Sequence, residues 1–60
     1  MRFVLDIKLG NDAMQTYDDV ITALLNNAAA LSDSTAILSE GDLGHVFDVN
    51  GNKVGHWLVR

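Results

Sequence analysis

His45 and His56 are the side chains in this sequence best suited to hold a metal or move a proton. They lie on the two arms of an expected hairpin. In the register of a two-residue turn they face each other, within reach of an ion shared with Asp6 or Asp48. A zinc-type site needs a third donor at a diagnostic spacing, and the sequence offers none. With no cysteine, thiolate ligands and a thiol nucleophile are excluded as well. The expectation is two partly exposed histidines on a short sheet, with no metal and no cofactor.

The hydroxyls do not assemble into a reaction centre either. Ser32, Ser34, Thr35 and Ser39 lie near several aspartates. No nucleophile elbow, phosphate loop or paired-carboxylate motif accompanies them. Gly41-Asp42-Leu43-Gly44 is too short for phosphate binding and lacks a following helix. A 60-residue chain also has little room for a pocket of the usual ~300 Å3 or more. No residue is assigned a catalytic role, and an enzyme is not expected.

Acidic residues dominate the middle of the chain. No Lys or Arg lies between Lys8 and Lys53, and the net charge is −4. That balance opposes a generic nucleic-acid binder, which carries a basic patch. An acidic face that mimics phosphate is one reading. It would need far more charge than this. The alternative gives each acid a local duty. Asp18 and Asp19 sit in the first turn of a helix, and Asp12, Asp33, Asp42 and Asp48 serve turns.

The elements that carry these residues follow from periodicity. Phe3, Leu5, Ile7 and Leu9 alternate with Val4, Asp6 and Lys8, so residues 2–9 read as a strand with one buried face. Gly10-Asn11-Asp12 breaks it. Thr16 followed by Asp19 makes an approximate capping box. Tyr17, Val20, Ile21, Leu24, Ala28 and Leu31 then recur at steps of three and four. They predict a helix over Tyr17–Leu31.

Residues 32–44 are the least regular. Ser32-Asp33-Ser34 reads as a helix exit, and Thr35-Ala36-Ile37-Leu38 as a short strand or an apolar patch. Glu40-Gly41-Asp42 reads as a turn. His45–Val49 and Lys53–Val59 flank Asn50-Gly51-Asn52, a strong hairpin signal. A bulge at Gly55 would put Val54, Trp57 and Val59 on one face.

The order is strand, helix, strand, strand. It specifies one α+β domain over residues 1–60: a three-stranded sheet with one helix packed on one face. Phe3, Leu5, Ile7, Leu9, Val20, Leu24, Leu31, Val54 and Trp57 are the expected core. No apolar run reaches the ~20 residues of a membrane span, and Asp6 comes too early for a signal peptide. A cytoplasmic protein is expected, with no membrane partner.

Two stretches resemble a known group. Leu9-Gly10-Asn11-Asp12-Ala13-Met14, with Asp19-Val20 and Ala23-Leu24, is similar to the first half of very short proteins of actinobacterial phages, prophages and plasmids. Asp48-Val49-Asn50-Gly51-Asn52-Lys53-Val54-Gly55-His56-Trp57-Leu58-Val59 resembles their ending. Residues 32–44 match least. The resemblance implies a mobile genetic element as the setting. It implies no activity and no site residue.

The expected function is binding of a macromolecule, in its specific form inhibition of a host defence or regulatory protein. Two alternatives stay open: a structural or accessory homo-oligomer, and an acidic nucleic-acid mimic. One helix covers one face of the sheet, leaving two strand edges and a second face that carries Val4, with Val46 or Leu58 as further candidates. A homodimer is therefore expected, with no direct nucleic-acid contact. Val4, Ile37, Leu38, His45 and His56 are the candidate partner-binding residues. Residues 32–44 could instead fold over the open face through Ile37 and Leu38.

Overall fold

A computed structural model describes residues 1–32 and 36–60. Strand β1 spans Phe3–Ile7, helix α1 Tyr17–Ser32, strand β2 Leu43–Phe47 and strand β3 Lys53–Val59. The three strands form one antiparallel sheet in the order β1-β3-β2. The last strand is therefore central, and both earlier strands are edges. The expected α+β architecture, strand-helix-strand-strand, is the one observed.

The helix starts as its sequence dictates. The Asp19 N–H donates to Thr16 Oγ1 at 3.1 Å, and the Thr16 N–H donates back to Asp19 Oδ2 at 3.1 Å. The Gln15 N–H reaches the same carboxylate oxygen at 2.9 Å. This reciprocal capping satisfies donors that have no partner within the helix.

The hairpin differs from the expected one. The Asp48 N–H donates to the Asn52 carbonyl, and the Gly51 N–H to the Asp48 carbonyl. Gly51 has φ of +81°, and among the described residues none other than glycine has positive φ. The loop is thus three residues, Val49–Gly51, built on a type I turn with a left-handed glycine. An Asn-Gly mirror-image turn would also need positive φ at Asn50. The longer loop moves the pairing by one residue, giving Phe47 opposite Lys53. A bulge then shifts it back, so that Val46 faces Gly55 and His45 faces His56. The two shifts cancel, and the expected histidine pairing arises by another route.

The bulge also puts Val54 and Trp57 on one face, with Val59, as the sequence suggested. Gly55 is required there. A Cβ at this position would collide with the Asp6 carbonyl oxygen. β2 begins and ends earlier than expected, so Val49 belongs to the turn and is exposed.

The core is smaller than expected and differently composed. Met14, Ala23, Val46 and Val54 form it, with Ile7, Val20 and Trp57 packed against them. Val46 is therefore a core residue, not part of the open face. Leu24 and Leu5 are 39% and 38% exposed, while Leu9 and Phe3 are also open to solvent. The helix presents Val20, Ala23 and Leu31 inward rather than the Tyr17-Ile21-Leu24 side. Ala23 is small enough to bring the helix close to the sheet, and Met14 fills the space beside it.

Met14 reaches the interior from a tight loop. Its N–H donates to the Asn11 carbonyl and its carbonyl accepts the Gly10 N–H, each at 3.0 Å. α1 packs chiefly against β2. It leaves much of β1 uncovered on the same side.

Residues 36–38 form no strand. Of the helix exit expected at Ser32-Asp33-Ser34, Ser32 is the last residue of α1, and Asp33 and Ser34, like Thr35, lie outside the described residues. Among the described residues, no helix is long and apolar enough to cross a membrane.

Candidate interaction surface

The sheet carries two different surfaces, set by strand alternation. The outer face presents Val4 and Asp6 from β1, His56 and Leu58 from β3, and Leu43 and His45 from β2. The registers Val4↔Leu58↔Leu43 and Asp6↔His56↔His45 make two neighbouring rows across it. One row is apolar and the other polar. His45 and His56 form a pair whose backbones are not bonded to each other, the closer kind of cross-strand pair. Asp6 lies on the far strand of that row. Among the described residues, no three His, Asp or Glu groups are placed to hold a metal ion.

The inner face holds an open groove of about 800 Å3 between the end of α1 and the sheet. Phe3, Leu31, Ile37, Leu38 and Trp57 line it. A cleft of this volume is larger than the chain length suggested, but it is shallow and mostly apolar. The Asp42 carboxylate at its rim is engaged, accepting the Ser39 N–H at 2.9 Å.

Trp57 shapes this groove. Its ring stacks on Phe3 with centroids 5.1 Å apart and an interplanar angle of 19°. Its other neighbour is Gly44, directly opposite on β2. A Cβ on Gly44 would run into the indole ring. The missing side chain lets the indole lie flat across β2, while Phe3 covers it from β1. Trp57 thus serves the core and the groove at once.

The five candidate partner-binding residues do not converge. Val4, His45 and His56 lie on the outer face. Ile37 and Leu38 line the groove on the helix side, so they do not fold over the outer face. Phe3 and Trp57 line the groove although both are expected in the core; for Trp57, a type enriched at binding hot spots, the sequence leaves a surface role open as the alternative. Their diagonal placement on neighbouring strands was the available signal.

The buried carboxylate in this fold is structural. Asp48 is 4% exposed. Its oxygens accept the Asn50 and Asn52 N–H groups at 2.9 Å, the Asn52 amide at 3.2 Å and the Asn11 amide at 3.0 Å. Burial pushes its pKa up, but these donors outweigh burial and hold it below the ordinary carboxylate value. Asp19 is also held low, by the Gln15 and Thr16 N–H donors.

The chain exposes an unusual amount of surface. Its accessible area is 4546 Å2. A compact protein of 6.5 kDa exposes about 3,800 Å2. The excess, about 700 Å2, approaches the ~800 Å2 that each partner contributes to a standard protein interface. Its Cα radius of gyration, 11.9 Å, also exceeds the ~10 Å of a compact chain of this length. Phe3, Leu5, Ile21, Leu24, Ile37 and Leu38 contribute to the open apolar area.

In comparisons with protein-family models, curated proteins and solved structures, nothing matches this chain.

Proposed function

We propose that this chain is a small interaction protein that acts by binding another protein rather than by catalysis. The surplus of exposed surface carries this reading, because large apolar side chains stand open on the chain and the surplus is nearly the size of one half of a stable interface. The groove of Phe3, Leu31, Ile37, Leu38 and Trp57 is the surface for the foreign partner. Its stacked aromatic pair beside exposed aliphatic side chains suits an apolar segment of a protein partner. The specific form is an inhibitor of a host defence or regulatory protein, encoded by a phage or other mobile element and working in the host cytoplasm. The sequence resemblance supports that setting. No cofactor or metal takes part.

Affinity capture from actinobacterial lysate tests this reading, using the wild-type chain and Leu38→Asp as baits. A protein retained by the wild type in high salt and lost with Leu38→Asp supports it. The same proteins on both baits would refute the groove as the binding surface. Capture that collapses in high salt and is displaced by DNA would instead mark an acidic nucleic-acid mimic.

A further inference from the structure

We infer that β1 pairs with β1 of a second copy of this chain, antiparallel about a two-fold axis at Val4, to build a continuous six-stranded sheet. The inference rests on the reading above only in taking the surplus surface as an interface. Its geometry comes from the edge strand itself.

The direction of the backbone groups on β1 follows from its ladder with β3. Arg2 and Arg60 exchange both backbone hydrogen bonds, and the Lys8 N–H donates to the Val54 carbonyl. Pairs alternate along an antiparallel ladder, so Val4 and Asp6 also face β3. The N–H and C=O groups of Phe3, Leu5 and Ile7 therefore point away from the sheet. Among the described residues, none of these three strand residues bonds to any further element on that side. β1 contains no proline and no bulge to blunt this edge.

Only a pairing that places odd residues opposite odd residues satisfies these groups. Five such registers are symmetric about a two-fold axis within the strand. Centred on Asp6, the pairing sets the two Asp6 carboxylates opposite each other, and centred on Ile7 it sets Asp6 opposite Lys8 but leaves only Ile7 paired within the strands. Centred on Leu5, the pairing sets Arg2 opposite Lys8 of the other copy, a like-charge contact. Centred on Phe3, it sets Arg2 opposite Val4 and shortens the ladder. Centred on Val4, it sets Phe3 opposite Leu5 and Arg2 opposite Asp6, each twice by symmetry. Cross-strand pairs of opposite charge are favourable, and like charges are not. Within one copy Arg2 lies opposite Arg60, and among the described residues no ion pair engages Arg2 or Asp6. The second copy supplies the missing opposite charge.

The apolar side agrees. Phe3 is 43% and Leu5 38% exposed, because α1 packs chiefly against β2 and leaves much of β1 uncovered. Both point to the helix side of the sheet. In the Val4-centred pairing each Phe3 meets Leu5 of the other copy, so the half-covered strip of each chain covers the other. Strand β2, the other edge, has no acid–base pair to set a register and has the helix packed against it.

Charge reversal with rescue tests the pairing, read by sedimentation equilibrium from micromolar to millimolar protein. Circular dichroism checks that each variant folds. The wild type is expected to approach twice its 6.5 kDa mass as concentration rises. Arg2→Asp is expected to weaken association about tenfold or more, through two symmetric repulsions with Asp6. Arg2→Asp combined with Asp6→Arg should restore it. A wild type that stays at 6.5 kDa overturns the pairing and leaves the foreign-partner reading standing. Association that ignores Arg2→Asp, or is not restored in the double variant, overturns it too.

Discussion

Asn11 and Asp48 lie 37 positions apart in sequence and are joined by a 3.0 Å hydrogen bond from the Asn11 amide to Asp48 Oδ2. The bond ties the loop after β1 to the β2–β3 turn. Asn11 Oδ1 meanwhile accepts the Ala13 N–H at 2.9 Å, which fixes the approach of Met14 to the core. One carboxylate thus organises a turn and, through Asn11, a core residue. Asp48→Ala should lower the melting temperature more than Asn11→Ala, because it leaves several donors without their acceptor. A thermal melt of the two variants checks the order.

The same carboxylate gives a pH dependence. Asp48 and Asp19 both have folded pKa values below those of the unfolded chain. Their contribution is complete above the unfolded value of about 3.9 and is lost as the pH falls through the folded values. Stability should therefore drop on the acid side of about pH 4. Asp19→Asn combined with Asp48→Asn should flatten that drop. Urea denaturation across the acid range measures it, and an unchanged slope in the double variant would contradict the assignment.

Met14 and Leu24 separate the observed core from the one that periodicity suggests. Met14 is fully buried and Leu24 is 39% exposed. Met14→Ala should cost about 2–5 kcal/mol, a large part of the stability of so small a domain. Leu24→Ala should cost clearly less. Denaturant titration of both variants decides, and the reverse order would sink the described helix orientation.

The turn makes a further distinction. Gly51→Val should cost at least about 1–2 kcal/mol, because a side chain with a Cβ is strained at φ of +81°. Asn50→Ala should fall within about ±0.5 kcal/mol, since Asn50 has ordinary negative φ. Equal losses at both positions would point to a two-residue mirror-image turn instead.

The legible parts of the fold were those with local signals. The alternation over β1, the Thr16–Asp19 capping and the hairpin around Gly51 each express a short-range rule, and each is present. The helix bounds came within one residue. Met14 was not legible, because loop residues follow no period and its burial depends on Asn11 meeting Asp48. The rotation of α1 was hidden for a similar reason. Ala23 and Leu24 both suit an inward face, and the bulk of Met14 and Trp57 decides between them. Of the candidate surface residues, Ile37 and Leu38 stood out as apolar in an irregular stretch. Phe3 and Trp57 did not, since an aromatic on a strand reads as core until the helix is seen to stop short of it.

The outward backbone groups of the β1 edge report directly on the pairing of two copies. Amide hydrogen exchange, followed residue by residue at several protein concentrations, reads it directly. The Val4 and Asp6 N–H groups face β3 and should be protected throughout. The Phe3, Leu5 and Ile7 N–H groups point outward and should gain protection as concentration rises and the second copy binds. Fast exchange at Leu5 at every concentration, with Val4 protected, would contradict the pairing of two β1 edges.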